Sequence, residues 1–261
     1  EALANDFVLV DAREWEPAIE ASRIEQLADR STGIGFDQLL VLKPGMEGAL
    51  AAIEIFNADG SVAEQCGNGM RAIAAWLART GQLASSTRIQ TPAGEVMLAR
   101  AGEGGFSADL PGPAPLSHTA LGLPVPTLPA NADRWDLVSL GNPHLIVRWP
   151  AEITAATLAG LVSSVEQNAA WRQQVNIGVV RIESEDQIAL RVHERGTGAT
   201  QACGSAACAA AWTLRRQHPT AAPVSVRQPG GTLVVDLDSA SGRVVTTGPA
   251  RVVFEGKLWN D

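Results

Sequence analysis

Two cysteines begin the two most similar segments of the chain. Aligning Cys66 with Cys203 pairs residues 66–79, CGNGMRAIAAWLAR, with residues 203–216, CGSAACAAAWTLRR. The two segments share the Cys-Gly start, two alanines, a leucine and the closing arginine. Any two alanine-rich helices share some alanines, but that does not explain a shared Cys-Gly start. We therefore interpret the segments as an internal repeat, in which each half of the chain presents one cysteine at the start of a helix.

A cysteine at a helix start is suited to acid–base chemistry. The first N–H groups of a helix have no partner within it, so this end favours an anion, and we expect the thiol pKa to be lowered. The glycine after each cysteine lets the backbone approach a ligand such as a carboxylate. Two thiols on opposite faces of a substrate carbon could invert it, one removing a proton as thiolate and the other returning one as thiol. We interpret the third cysteine, Cys208, as a small packing residue within the second helix.

Polar residues stand at the ends of several predicted strands. They are Asn57 in FNADGS, Asn142 and His144 in GNPH, Asn176 in NIGVV, and Glu194 and Arg195 in HERG. Each asparagine alone is compatible with ordinary turn chemistry. The arginine could form a surface ion pair or bind a substrate carboxylate through two hydrogen bonds. Together with the two Cys-Gly helix starts, the set favours a shared cleft.

Short apolar runs bounded by Gly, Pro and Asn predict an α+β fold with more strand than helix. The predicted helices are Ser22–Arg30, Ala155–Val165 and the segments that follow Cys66 and Cys203. The predicted strands are Phe7–Asp11, Gln38–Leu42, Ala52–Phe56, Val138–Leu140, Leu145–Val147, Asn176–Ile182, Ile188–Val192, Val224–Arg227, Leu233–Leu237 and Arg251–Glu255. Dense prolines between Pro111 and Pro129 predict a semi-rigid connection between two halves.

The composition excludes several classes of protein. The 261 residues are 46% hydrophobic and 18% charged, which is typical of a globular chain with a sizeable core. A net charge of −8 argues against nucleic acid as a partner. No apolar run approaches the ~20 residues that a membrane span needs, and no signal peptide is visible, so we expect a cytoplasmic protein. No His/Cys cluster has metal-ligand spacing, and we expect no metal.

Taken together, the motifs resemble those of the diaminopimelate epimerases over nearly the whole chain. The matching segments are NDFVLVD, GIGFDQLL, FNADGSVAEQCGNGMR, GNPH, NIG, ERGTGATQACGSAACAAA, PGG and TGPARVVFEG. The resemblance implies two pseudo-symmetric lobes of like fold, each a mainly antiparallel sheet wrapped around a central helix, with the active site in the cleft between them. The first lobe would cover residues 1–112, with a C-terminal strand at 250–261 returning to it, and the second would cover residues 113–249.

The resemblance also implies an activity and roles for individual residues. The activity is a cofactor-independent interconversion of LL-2,6-diaminopimelate and meso-diaminopimelate in lysine and peptidoglycan precursor synthesis, carried out by a homodimer. Cys66 and Cys203 would be the acid and base, with Cys203 as the base toward one epimer and the roles exchanged in reverse. His144 and Glu194 would tune the thiol pKa values. The implied substrate-binding residues are Asn5, Gln38, Asn57, Gly67, Asn68, Asn142, Asn176, Glu194, Arg195, Gly204 and Ser205.

The chain departs from the family pattern at a few positions. The usual GLGNDF near the start is ALANDF here, so Ala2 and Ala4 replace glycines. Ala199 stands where a glutamate is usual, and Phe254 replaces a frequent tyrosine. None of these changes removes one of the implied catalytic groups.

Three other functions are compatible with paired cysteines. A racemase of the same fold could act on proline or hydroxyproline, although retention of Asn57, Asn142, Asn176 and Arg195 together favours diaminopimelate. A dithiol redox protein would need the two sulfurs within bonding distance. A non-catalytic amino-acid binding module would have no reason to place a cysteine at both helix starts.

Overall fold

A computed structural model describes residues 1–17, 19–219, 222–238 and 240–258. The chain divides into two units, one formed by Glu1–Ala108 with Gly248–Asp261 and the other by Asp109–Thr247. Among the described residues, none of the helices has the length and apolar character needed to cross a lipid bilayer.

Unit 1 contains two helices and a mixed sheet. Its elements in chain order are β1 (Phe7–Asp11), α1 (Ala21–Ala28), β2 (Gln38–Pro44), β3 (Ala51–Asn57), β4 (Val62–Ala63), α2 (Gly67–Arg79), β5 (Thr87–Thr91), β6 (Gly94–Arg100) and β7 (Gly105–Pro111), the last of which continues into unit 2. Strand β1 pairs in parallel with β2, β2 antiparallel with β3, β3 in parallel with β5, and β5 antiparallel with β6.

The two helices of unit 1 cover opposite faces of strand β2, which explains why QLLVL is apolar without alternation. Leu39 and Val41 pack in a buried cluster with Ile24 of α1. Leu40 lies on the other face, close to Gly69 of α2. Burial on both faces therefore holds the start of α2 against the sheet.

Unit 2 repeats this plan at greater length. Its elements are β8 (Ala114–Pro115), β9 (Arg134–Ser139), β10 (Pro143–Arg148), α3 (Ala155–Glu166), β11 (Asn176–Ile182), β12 (Gln187–Glu194), β13 (Gly198–Thr200), α4 (Gly204–Gln217), β14 (Val224–Gln228), β15 (Gly231–Asp238) and β16 (Arg243–Pro249). Strand β10 pairs in parallel with β11, β11 antiparallel with β12, β12 in parallel with β14, and β14 antiparallel with β15.

The central helix of unit 2 is made of small residues, which lets the sheet approach it closely. Helix α4 contacts β9 to β12, β14 and β15, and Ala206, Ala207, Ala209 and Ala211 are fully buried in it. Helix α3 covers the other face, where Leu161 and Val165 pack with strands β10 to β12. The order of parallel and antiparallel pairs and the position of each helix match those of unit 1. The predicted α+β fold with two like halves is therefore confirmed.

One predicted strand is wrong. The expected C-terminal strand at 250–261 is absent over its described part, residues 250–258, which have no regular secondary structure and follow the end of β16 at Pro249. Residues 259–261 lie outside the described part. Within the described residues, four strands of five or more residues were not identified from the sequence: Thr87–Thr91, Gly94–Arg100, Gly105–Pro111 and Arg243–Pro249. The side chains of Arg243–Pro249 alternate between buried and partly exposed.

Candidate active site

In unit 1, Cys66 is the residue that caps the start of α2. Its backbone is extended, and its Sγ accepts a hydrogen bond from the backbone N–H of Gly69 at 3.3 Å. A Cβ placed on Gly69 would lie 3.4 Å from that sulfur and 3.2 Å from the Leu40 side chain. The missing Cβ at Gly69 therefore leaves room for the Leu40 side chain against the helix start, and the backbone N–H that reaches the sulfur is a donor of the kind that stabilises a thiolate.

Two amides lie side by side at adjoining strand ends in unit 1. Gln38 begins β2 and is paired in register with Asn57, the last residue of β3. Gln38 Nε2 donates to Asn57 Oδ1 at 2.9 Å, and Asn57 Nδ2 donates to the Ser61 hydroxyl at 3.0 Å. Both predicted binding residues are thereby oriented by their neighbours.

Asn5 and Asn68 form a second amide pair. Asn68, near the start of α2, donates through Nδ2 to Asn5 Oδ1 at 3.0 Å, and Asn5 Nδ2 donates to Asp37 Oδ2 at 2.8 Å. The buried guanidinium of Arg71 donates to Asn68 Oδ1. The turn before Asn5 is strained, because Ala4 adopts a left-handed conformation with φ of 60°.

In unit 2, three polar side chains form a row across neighbouring strands. His144 on β10 is paired in register with Asn176, the first residue of β11. The antiparallel register of β11 and β12 then brings Glu194, the last residue of β12, beside Asn176. Ile177, the next residue after Asn176, belongs to the α3 cluster, so alternation directs the row to the α4 face. The corresponding row in unit 1 consists of Phe7, Gln38 and Asn57.

His144 is fully buried and electrically neutral. Burial lowers the pKa of its ring from 6.5 to about 3. Its Nε2 lies 2.9 Å from Asn142 Oδ1, and because that oxygen only accepts hydrogen bonds, we assign the single proton of the neutral ring to Nε2 as the donor. His144 thereby orients the predicted binding residue Asn142.

Cys203 is surrounded by polar groups at the start of α4. Its Sγ donates to Glu194 Oε2 at 3.2 Å and lies 3.4 Å from the Ser205 hydroxyl. The other oxygen of Glu194 accepts from the Thr200 hydroxyl at 2.6 Å. The backbone N–H of Cys203 donates to Gln228 Oε1 at 2.8 Å, so both ends of this residue are held in place.

The expected lowering of the thiol pKa is wrong for Cys203. Burial raises the pKa of this thiol well above its ordinary value, and the negative charge of Glu194 raises it further. A hydrogen bond from Ser205 acts in the opposite direction but is outweighed. Cys203 is therefore a thiol with a carboxylate acceptor beside it, whereas Cys66 accepts a backbone N–H, so the two sulfurs lie in unlike environments.

The remaining predicted residues also lie at strand ends and helix starts. Asn176 Oδ1 accepts the backbone N–H of Arg195 at 2.9 Å, whereas the Arg195 guanidinium is exposed and makes no hydrogen bond or ion pair within the described chain. Gly67 and Gly204 are the first residues of α2 and α4, where backbone N–H groups have no partner within the helix. Unit 1 brings together Asn5 with Asn68 and Gln38 with Asn57, and unit 2 brings together Asn142 with His144, Asn176 with Arg195, and Cys203 with Glu194 and Ser205.

Sequence reasoning missed four residues that hold these groups. Asp37 stands in GFDQ and Arg71 in CGNGMR. In these motifs, roles were assigned to neighbouring residues, such as Gln38 and Asn68, but not to Asp37 or Arg71. Thr200 likewise stands in ERGTGATQACGSAACAAA and reaches Glu194 within the hairpin of β12 and β13. Gln228 carries no local signal, because it reaches Cys203 only through the tertiary fold.

The fold is similar to the folds of solved structures described as epimerases and racemases. A predicted epimerase from Pseudomonas aeruginosa matches with a TM-score of 0.68 and 15% identity, covering 100% of this chain and 98% of that one. A probable proline racemase from Agrobacterium radiobacter matches with a TM-score of 0.63 and 15% identity, covering 87% and 77%. At this level of identity the similarity establishes a shared fold.

The sequence identifies the family within that class. The family model described as diaminopimelate epimerase matches residues 1–110 and 137–253. A diaminopimelate epimerase from Xanthomonas oryzae pv. oryzae is 40% identical over 267 residues, covering 98% of this chain and 93% of its own. The chain belongs to the diaminopimelate epimerase family.

Proposed function

We propose that this protein is an isomerase that interconverts LL-2,6-diaminopimelate and meso-diaminopimelate, a step that serves lysine and peptidoglycan precursor synthesis. The observation that supports it most is the presence of a cysteine at the start of both central helices in a member of this family. Both cysteines act on the same α-carbon, one from each face, and no cofactor takes part.

The mechanism follows from the unlike environments of the two sulfurs. Glu194 accepts the proton of the Cys203 thiol, and the resulting thiolate removes the α-proton of one epimer. The electron pair left on carbon is stabilised by N–H groups at the helix starts, and the Cys66 thiol donates a proton to the opposite face. The enzyme finishes with Glu194 and Cys203 protonated and Cys66 as thiolate, which is the state that accepts the other epimer.

The binding residues divide by chemistry. The N–H groups of Gly67 and Asn68 and of Gly204 and Ser205 bind the carboxylate next to the reacting carbon. The exposed guanidinium of Arg195 binds the distal carboxylate. The other amides that bind the substrate are those of Asn5, Gln38, Asn57, Asn142 and Asn176.

The test is NMR of LL-diaminopimelate with protein and reductant in D₂O. We expect loss of the α-proton signal together with formation of the meso isomer. Cys66→Ala and Cys203→Ala should each abolish interconversion, whereas Cys208→Ala is the matched control and should retain it, because Cys208 is buried inside α4 away from the helix start. Exchange with proline but not with diaminopimelate would contradict the proposal and favour the racemase.

We also propose a cytoplasmic homodimer. The supporting observation for the dimer is that Val253 and Phe254 expose 63% and 68% of their surface, which is unusual for two neighbouring large apolar residues. Phe254→Asp should shift the mass measured by light scattering from dimer to monomer. Val125→Asp, which alters an equally exposed residue elsewhere, is the matched control, and an equal effect of both variants would contradict the assignment.

The reduced thiols that the mechanism needs support a cytoplasmic location, which cell fractionation would test.

A further inference from the structure

Four side chains in unit 1 form a continuous line of hydrogen bonds, which we name the amide relay: Arg71, Asn68, Asn5 and Asp37. Arg71 donates to Asn68, Asn68 donates to Asn5 at 3.0 Å, and Asn5 donates to Asp37 at 2.8 Å. Arg71 and Asn68 are buried, whereas Asn5 is only half-buried. The relay therefore runs from the interior of α2 to an amide with access to a ligand.

The two ends of the relay impose the same direction on the amides between them. A guanidinium has only donors, so it requires that Asn68 turn its oxygen toward Arg71 and its Nδ2 toward Asn5. A carboxylate has only acceptors, so Asp37 requires that Asn5 turn its Nδ2 toward Asp37 and its oxygen toward Asn68. Both requirements agree, and neither amide can invert without placing two donors or two acceptors face to face.

Asp37 meets donors at both of its oxygens. Its Oδ2 accepts from Asn5 Nδ2 and from the backbone N–H of Asp6, each at 2.8 Å, and its Oδ1 accepts from Arg30 at 2.9 Å. An asparagine at this position would have to place its NH₂ group against one of these donors. Only a carboxylate satisfies all three.

We propose that Asp37 and Arg71 are positioning residues that fix the amide orientation of Asn5 and Asn68 for substrate binding, an inference that rests on the proposed function. Neither residue acts on the reacting atoms. Their opposite charges at the two ends of the relay hold Asn5 in one orientation before the substrate arrives. This preorganisation strengthens binding without altering proton transfer.

The first test compares Asp37→Asn with Asp109→Asn. Asp109 is a matched control, because it is also half-buried and accepts from an arginine, Arg243, at 2.7 Å, but it lies outside the relay. We expect Asp37→Asn to raise KM about tenfold, equivalent to about 1.4 kcal/mol, with little change in kcat. Asp109→Asn should leave both constants unchanged. An unchanged KM in Asp37→Asn, or an equal rise in both variants, would overturn the inference.

A second measurement does not depend on activity. In ¹⁵N-labelled protein, Asp37→Asn should shift the side-chain NH₂ signals of both Asn5 and Asn68, whereas Asp109→Asn should shift neither. A shift at Asn5 alone, or at neither residue, would refute the relay even if the wild type did not act on diaminopimelate.

Two variants test the role of Arg71. Arg71→Lys keeps a buried cationic donor and should leave KM close to the wild-type value, whereas Arg71→Gln should raise KM. Equal KM values for these two variants would count against the role of Arg71.

Discussion

The buried imidazole of His144 should make the stability of the protein depend on pH in a calculable way. Its folded-state pKa is about 3 and its ordinary value is 6.5, because burial disfavours the charged ring. Below pH 6.5 the unfolded chain therefore binds a proton at this position that the folded chain does not. The resulting stabilisation is fully present above pH 6.5 and is lost progressively as the pH falls toward 3.

The size of this effect follows from proton linkage. Each pH unit inside the window corresponds to about 1.4 kcal/mol for one proton. Lowering the pH from about 7 to about 5 should therefore reduce the free energy of unfolding by about 2 kcal/mol through His144 alone. Urea unfolding at a series of pH values measures this loss of unfolding free energy directly.

A variant isolates the contribution of His144 from that of the other groups. His144→Gln keeps an amide donor for Asn142 but does not titrate, so its unfolding free energy should fall by about 2 kcal/mol less than that of the wild type over the same range. His218→Gln makes the same replacement at an exposed ring and should follow the wild type. If wild type and His144→Gln lose stability in parallel, the neutral buried imidazole is refuted.

Three further changes test other features of the two units. Glu194→Gln removes a negative charge 3.2 Å from the Cys203 sulfur and should lower the pKa of that thiol. Thiolate absorbance measures this pKa in a chain whose other cysteines are replaced, and an unchanged or raised pKa would contradict the effect assigned to Glu194. Ala4→Gly relieves a left-handed conformation at an exposed position and should stabilise the protein by about 0.5–1 kcal/mol in urea unfolding, whereas destabilisation would refute the strain. Gly69→Ala places a methyl group 3.2 Å from the Leu40 side chain and 3.4 Å from the Cys66 sulfur, so it should displace the start of α2 and lower kcat. Unchanged turnover would show that the thiol tolerates these contacts.

The elements that the sequence predicted well are those whose local pattern matches their burial. Strands Phe7–Asp11 and Asn176–Ile182 form with the predicted bounds, and the helices after Cys66 and Cys203 begin where the repeat indicated. Strand Arg243–Pro249 was missed and the segment RVVFE was wrongly assigned as a strand. Both patterns are compatible with a strand, and which one pairs is decided by neighbours far along the chain.

The positions of the candidate residues at strand ends and helix starts were predictable from the sequence, but their interactions were not. The strand-end asparagines and the paired cysteines were identified from motifs alone. The raised pKa of Cys203 could not be foreseen, because a helix start predicts the opposite direction and the sequence does not report burial or the approach of Glu194. Likewise, the bond between Asn5 and Asn68 joins residues that only the tertiary fold brings together.

The rows of side chains at equivalent strand ends differ in chemistry between the two units, although the two units share one fold. Where unit 2 has His144 and Glu194, unit 1 has Phe7 and Asn57, while the surrounding strand order is the same. Two halves of identical sequence would give both cysteines the same surroundings. Divergence at these few positions gives the two helix starts different chemical surroundings without changing the fold.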